Sequence, residues 1–113
     1  MYRKELKVLD CTIRDGGLIN NYQFSKDFVK AVYRATCDAA VDIVELGKKL
    51  EVSDEYTREK YGAWNFCDDD DLKEVIDSYE SDYRPLVAVM YDVGRVNVSK
   101  LQPRDQGPID MVR

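Results

Sequence analysis

Residues 9–17 read LDCTIRDGG and begin like a buried strand of a parallel sheet. Strand side chains alternate between two faces, so this segment divides into an apolar set and a polar set. The apolar set is Leu9, Cys11 and Ile13, and the polar set is Asp10, Thr12 and Arg14. The pattern predicts a strand over 6–13 and then a turn at 15–17. Its polar face either meets water or lines a polar active site.

Helices and strands alternate along the rest of the chain. Ser25 is a favourable N-cap for a helix, and Phe24 and Val29 occupy the positions of a hydrophobic staple. Helical spacing places four apolar residues on one side of that helix: Phe28, Val32, Ala35 and Ala39. Further strands are predicted over 42–47, 84–92 and 108–113, and a short helical turn over 99–101. This order, βαβαβ(α)β, predicts an α/β fold with parallel strands and right-handed crossovers.

An unusually long polar segment, 48–66, separates the second strand from an acidic run. Loops of that length in compact domains are usually functional or flexible. The run CDDDD, 67–71, predicts a helix N-terminus, where carboxylates cap free amides and oppose the helix dipole. The apolar stripe of that helix is Leu72, Val75, Ile76 and Tyr79. Binding of a divalent cation by the acidic run is the alternative.

Composition excludes several classes of protein. The chain has 113 residues, one domain's length, with 44% apolar residues and a formal net charge of −5. An acidic protein is a poor partner for nucleic acid or for an anionic membrane surface. The sequence has no apolar stretch of membrane-spanning length, and its first residues lack the apolar centre of a signal peptide. We therefore expect no nucleic-acid or membrane partner.

Cysteine and histidine usage narrows the chemistry. The three cysteines, Cys11, Cys37 and Cys67, lack CxxC spacing, which predicts reduced thiols in a cytoplasmic protein. The chain contains no histidine. This excludes Ser-His-Asp and Cys-His catalysis within the chain, together with any self-contained histidine metal site.

Polar residues gather where the predicted strands end. Arg14 and Asp15 follow the first strand, Glu45 lies near the end of the second, and Asp92 ends the third. The carboxyl ends of parallel strands open on one side, so these groups are expected to converge on a shared cleft. A glutamate inside an apolar strand needs a partner, and the planar guanidinium of Arg14 is the obvious one.

Each of these residues also has a structural interpretation. RDGG, 14–17, is compatible with a simple turn in which Asp15 bonds its own backbone. Glu45 could reach water from a strand end, and Asp10 could serve to orient its neighbours. The relative placement of these residues nevertheless favours a site.

The motifs DCTIRDGG, 10–17, and VDIVELG, 41–47, resemble the start of the DRE-TIM metallolyases. This family includes hydroxymethylglutaryl-CoA lyase, isopropylmalate synthase and 4-hydroxy-2-oxovalerate aldolase. Its first strand typically reads D-x-T-[LI]-R-D-G, and its second carries E-x-G, matched here by Glu45 and Gly47. The family domain is a complete (β/α)8 barrel of about 250 residues. The resemblance therefore implies a partial TIM barrel, with residues 1–113 as the first three to four β/α units of an aldolase or lyase domain.

The resemblance implies a role for each matched residue. Asp15 would be a ligand of a divalent metal, Mg or Mn; Arg14 would stabilise the oxygen of an enolate; Glu45 would orient or balance Arg14. The expected substrate is a 2-oxo acid or related acyl compound, whose carbon–carbon cleavage or formation passes through an enolate. Carboxylate oxygen suits a hard cation, and arginine keeps its charge at any working pH.

Departures from the family define the alternative function. The family's other metal ligands, an H-x-H pair on a late strand, are absent, so we expect the chain alone to be inactive. Leu18 stands where members often carry a polar residue, a histidine base in the aldolase branch, and Ala40 stands where a glycine often ends the helix. Leu18 favours a non-catalytic binding or scaffold domain. Open strand edges predict self-association, or docking with the missing C-terminal part.

Overall fold

The computed structural model describes residues 2–113. Within that range four β-strands and four α-helices alternate along most of the chain. They are β1 Leu9–Asp10, α1 Thr12–Asn20, α2 Lys26–Asp38, β2 Ile43–Lys48, α3 Arg58–Tyr61, α4 Asp69–Asp77, β3 Leu86–Met90 and β4 Met111–Val112. Two 3-10 turns cover Ala63–Asn65 and Val98–Lys100.

The four strands form one parallel sheet in the order β1-β2-β3-β4. Each strand pairs with the next one in the chain, so the sheet winds in a single direction. A doubly wound sheet would instead reverse direction at its first strand. The predicted α/β class is confirmed, and the arrangement is that of a partial (β/α)8 barrel.

One face of the sheet packs against the helices and forms the core. Val44 and Leu46 of β2 and Val87 and Val89 of β3 are fully buried. They join one cluster with apolar residues of α2 and α4: Val29, Tyr33, Cys37, Leu72, Val75 and Ile76. The opposite face of β2 carries Glu45, which shares that face with Ala88 of β3.

The first strand is shorter than predicted. The interpretation of 6–13 as a strand is wrong beyond Asp10, because helix α1 begins at Thr12 and includes Arg14. The Asp10 carboxylate accepts hydrogen bonds from the Thr12 amide (3.0 Å) and hydroxyl (2.9 Å). Asp10 thus provides a hydrogen-bond partner for a free amide in the first turn of α1. The predicted alternation of apolar and polar side chains ends at Asp10, because the residues from Thr12 onwards are helical. The prediction that Asp10 orients its neighbours is confirmed.

The predicted turn at 15–17 is also wrong, since Gly16 and Gly17 lie inside α1. Glycine weakens a helix interior by about 1 kcal/mol relative to alanine, so a compensating contact is expected. A Cβ on Gly17 would lie 2.1 Å from Cδ1 of Tyr22. Glycine at 17 therefore lets the Tyr22 ring pack directly against the helix backbone.

Helix α2 begins where its sequence predicts, but its buried face is rotated by one residue. The Ser25 hydroxyl accepts a hydrogen bond from the Phe28 amide at 3.1 Å, which confirms the N-cap. Phe24 stacks on Phe28, with ring centroids 5.3 Å apart. Phe28 is 46% exposed. The buried residues are Val29, Tyr33, Thr36 and Cys37, so the predicted stripe from Phe28 through Val32, Ala35 and Ala39 is wrong.

The acidic run begins helix α4, as predicted. Asp68 and Asp71 form a reciprocal capping box, each side chain accepting a hydrogen bond from the other's amide. Asp71 also accepts a hydrogen bond from Arg58 at 2.8 Å. Arg58 belongs to α3, within the segment 48–66 that was predicted to be a loop. Together with the buried Trp64, these contacts make that segment an ordered part of the domain.

Replacing Asp71 with asparagine is expected to lower the free energy of unfolding by about 1–3 kcal/mol at pH 7. Burial works to raise the pKa of Asp71, but the Arg58 hydrogen bond and the cap lower it below its usual value. The folded-state pKa is thus depressed, so the charge stabilises the fold above the unfolded value near 3.9 and loses this effect in acid. Urea titrations should show the difference at pH 7 and its progressive loss as the pH falls below the ordinary aspartate pKa and through the depressed folded-state value. Asp70→Asn, at an exposed position of the same run, should change little; an equal loss in both variants would contradict the prediction.

The remaining sequence predictions compare closely with the structure. Strands β2 and β3 fall within or one residue from their predicted ranges, and a helical turn covers Val98–Lys100. The three cysteines form no disulfide, as the odd count predicts. In residues 2–113, none of the helices combines the length and hydropathy needed to cross a bilayer.

Candidate active site at the carboxyl ends of the strands

Glu45 is the centre of the candidate site. Its side chain is fully buried in the middle of β2. The Arg113 guanidinium donates two hydrogen bonds to it, from Nε to Oε2 at 2.6 Å and from Nη2 to Oε1 at 2.7 Å. This bidentate arrangement satisfies both carboxylate oxygens, which makes burial of the charge tolerable.

Arg113 reaches Glu45 from the end of β4, across the intervening strand β3. The residue of β3 opposite Glu45 is Ala88, whose small side chain leaves room for the pair. In a (β/α)8 barrel, alternate strands contribute side chains to the same interior layer. A contact between β2 and β4 is therefore the contact expected on the inner face of such a barrel. The hydrogen bonds to Glu45 raise the pKa of Arg113, so its guanidinium keeps its positive charge.

Arg14 covers the other side of Glu45. Its Nε lies 3.5 Å from Glu45 Oε1, and its side chain is 14% exposed. The same Nε is 2.9 Å from the Met90 sulfur at the end of β3. Arg14 also pairs with Asp15, its neighbour in α1. Its guanidinium thus lies at the opening of the sheet, held by β2, β3 and α1 together.

Asp15 and Asp92 occupy more open positions. The Asp15 side chain is 57% exposed, and one of its oxygens contacts Arg14. Asp92 lies two residues beyond β3 and is half-buried. Within residues 2–113 no ion pair joins Asp92 to Arg14. The structure therefore brings Arg14, Asp15 and Glu45 together and leaves Asp92 outside the ion pairs.

The predicted partner of Glu45 needs correction. Arg14 was expected to pair with this carboxylate, but Arg113 makes the two short hydrogen bonds, and Arg14 makes one longer contact. Glu45 does not reach water, which excludes the interpretation of an exposed strand-end residue. Arg113 was missed because its partner is two strands and 68 residues away. The sequence feature that could have indicated this pair is a glutamate inside an apolar strand, Glu45, together with an arginine at the end of a later parallel strand, Arg113.

Tyr22 is a second residue that the sequence did not single out. It lies between α1 and α2 and is 4% exposed, yet its hydroxyl has no hydrogen-bond partner within residues 2–113. Burial raises the pKa of Tyr22; among nearby charges Arg14 acts most strongly and opposes the rise. The hydroxyl is therefore a neutral donor at pH 7. The charges of Arg14, Asp15 and Glu45, here called the Arg14 cluster together with Arg113, all act on Tyr22 or on one another. Burial of a hydroxyl without a hydrogen-bond partner lowers the stability of the fold, so a structural or functional reason for it is expected.

The donor set accommodates a divalent metal only in part. The exposed carboxylate of Asp15 is a hard oxygen ligand of the type that Mg²⁺ and Mn²⁺ prefer. In the described residues no three or more histidine, cysteine, aspartate or glutamate side chains are grouped to hold a metal ion. Asp15 alone is one ligand, so a metal at this position needs ligands from outside residues 2–113.

Comparison with known proteins adds one structural relative. No family model matches the chain, and no curated protein is significantly similar to it. Among solved structures, the chain is similar to that of the N-terminal domain of a putative aldolase from Bacteroides vulgatus. The TM-score is 0.62 and the sequence identity 30%. The chain thus resembles part of the N-terminal domain of this putative aldolase.

The extent of this similarity is unequal for the two proteins. It covers 89% of this chain but 29% of the Bacteroides vulgatus chain. The present chain therefore spans less than a third of the protein that it matches. The similarity supports an aldolase-like fold for these residues and leaves the metal, the substrate and the individual residue roles as proposals.

Proposed function

We propose that this chain forms the first β/α units of a metal-dependent carbon–carbon lyase or aldolase of the DRE-TIM type, acting on a 2-oxo acid or acyl substrate through an enolate. The observation that carries the proposal is the buried Glu45, held between two arginines at the opening of a parallel sheet. A charged group placed there at an energetic cost indicates a functional arrangement. The similarity to an aldolase domain agrees with it.

In the proposed mechanism, Arg14 supplies a fixed positive charge beside the substrate oxygen. Its guanidinium is positioned by Glu45, Asp15 and Met90, so little reorganisation accompanies formation of the enolate. Arg113 makes both short hydrogen bonds to Glu45, so that carboxylate is not neutralised by Arg14 alone. A divalent ion bound through Asp15 and outside ligands would supply Lewis acidity when present.

Proton exchange at the carbon beside the ketone tests this proposal directly. In D₂O with Mg²⁺ or Mn²⁺, a protein that contains this sequence and the remaining barrel strands should exchange the methyl protons of pyruvate. Arg14→Lys should slow this exchange about 100-fold, because lysine lacks the planar fork that Glu45 and Met90 position. Arg34→Lys, an exposed arginine of α2, should exchange like the wild type.

Two outcomes would contradict the proposal. One is an Arg14→Lys variant as active as the wild type in a folded protein. The other is full metal-dependent turnover by residues 1–113 alone, because in the described residues 2–113 no three or more histidine, cysteine, aspartate or glutamate side chains are grouped to hold a metal ion.

A non-catalytic binding or scaffold domain is the second candidate, favoured by Leu18. This side chain is 69% exposed on α1 and cannot act as a base. Absence of exchange with every divalent metal tried, in a folded protein with the complete barrel, would favour this second function.

A further inference from the structure

A cavity of about 400 Å³ lies at the end of β2, next to Tyr22. Its walls include four aromatic rings, Tyr22, Tyr56, Tyr61 and Phe66, together with the side chains of Lys48 and Arg95. Small-molecule sites typically have volumes of about 300–1,000 Å³ and combine apolar walls with a few polar groups. The cavity therefore has the size and the lining of a site for a small molecule.

The aromatic walls favour a flat ligand. Tyr56 and Tyr61 pack against each other with ring centroids 5.1 Å apart. Tyr22 and Phe66 are almost completely buried, at 4% and 5% exposure. Aromatic rings prefer offset-stacked or edge-to-face contacts with other rings, which a planar group can provide.

The charges of the cavity favour an anion. Within residues 2–113, neither Lys48 nor Arg95 has a carboxylate within 4.0 Å. The ammonium group of Lys48 lies 5.4 Å from the Tyr22 ring centroid, a cation–π contact that holds it at the cavity. Glu51, the carboxylate of the lining, is paired with Lys100 at 2.8 Å. Both cations of the lining are therefore available to a negatively charged ligand.

Tyr22 and strand β2 connect this cavity to the Arg14 cluster. The Tyr22 ring forms a wall of the cavity, and among nearby charges Arg14 acts most strongly on the pKa of Tyr22. Lys48 follows Glu45 by three residues on β2, a separation of at most about 10 Å. A single small molecule can therefore span both places.

We propose that this cavity binds a flat apolar group that carries one negative charge, such as an aromatic carboxylate. A further assignment rests on the proposed lyase function: this flat anionic group is the part of the substrate that is remote from the reacting ketone. Lys48 and Arg95 then select its charge, and the aromatic rings select its shape.

Binding of phenylacetate and of its uncharged isostere phenylacetamide tests the cavity without any chemical reaction. By NMR titration of the 113-residue chain, phenylacetate should bind about tenfold more tightly than phenylacetamide. Lys48→Gln and Arg95→Gln should each remove most of that preference. Lys4→Gln, a change at an exposed lysine outside the cavity, should retain it. Equal binding of the two probes, or a preference unchanged in both cavity variants, would overturn the proposal.

The same probes distinguish this inference from the proposed function. Arg14→Lys should leave phenylacetate binding unchanged, since Arg14 does not line the cavity. If phenylacetate binds but the complete protein exchanges no pyruvate protons, the lyase function fails and the cavity stands as an independent anion site. If proton exchange depends on Arg14 but phenylacetate shows no preference, the cavity assignment alone fails.

Discussion

Replacing Gly47 with alanine is expected to lower the free energy of unfolding by more than about 3 kcal/mol, enough to unfold a marginal domain. Gly47 has a φ of +124° in β2, which side chains rarely allow. An added Cβ would lie 2.3 Å from the carbonyl oxygen of Trp64. That carbonyl cannot easily withdraw, because Trp64 is buried and its indole donates a hydrogen bond to the Phe24 carbonyl at 3.2 Å. Urea denaturation followed by tryptophan fluorescence measures the loss.

Gly94 offers a matched control for this prediction. It also has a positive φ, +80°, but a Cβ built there meets no atom within 4 Å. Gly94→Ala should therefore cost only the backbone term, about 1–2 kcal/mol. If Gly47→Ala were no more destabilising than Gly94→Ala, close packing of β2 on the Trp64 backbone would not be the reason for glycine at this position.

Replacing Arg113 with methionine is expected to cost about 3 kcal/mol at pH 7. The substitution leaves the Glu45 carboxylate fully buried with Arg14 as its remaining cation, at 3.5 Å. Removal of one partner from a buried ion pair is costly because the other charge stays out of water. Chemical denaturation of the variant against the wild type gives the difference directly.

The double variant Glu45→Met with Arg113→Met separates the pair from its surroundings. Because neither charge remains to be desolvated, its stability should return to within about 1 kcal/mol of the wild type. Arg34→Met, which removes an exposed pair with Asp38, should cost less than about 1 kcal/mol. A double variant that is less stable than Arg113→Met alone would contradict the prediction, because it would show that Glu45 stabilises the fold even without Arg113, for example through its contact with Arg14.

Local sequence signals predicted several elements correctly because each acts over a few residues. The Ser25 cap needs only the amide three residues later, and the acidic run at 68–71 satisfies amides of its own first turn. Side chains of a strand alternate between its faces, and Val44 and Leu46 of β2 are accordingly buried on the face opposite Glu45. The partial-barrel fold followed from the order of these elements.

Other features depend on contacts that are distant in sequence. The Gly16–Gly17 pair resembles a turn, yet it lies in a helix because the Tyr22 ring occupies the space that a side chain at 17 would need. The alternation of side chains could not show that the Asp10 carboxylate accepts a hydrogen bond from the Thr12 amide, where α1 begins. Arg113 was not predicted because it contacts Glu45 from two strands away. Tyr22 was not predicted because its burial and the effect of Arg14 on its pKa depend on the folded structure and not on spacing along the chain.

The Glu45–Arg113 pair has a consequence for whatever β-structure continues this sheet. It makes the inner face ionic at one level, where most barrels of this architecture place branched apolar side chains. Side chains that a further strand places next to Glu45 and Arg113 must therefore be small or able to form hydrogen bonds. A bulky apolar side chain would remove water from the guanidinium groups without providing other hydrogen-bond partners. In the proposed barrel, a charge in β2 would thus restrict the side chains that later strands can place on the inner face.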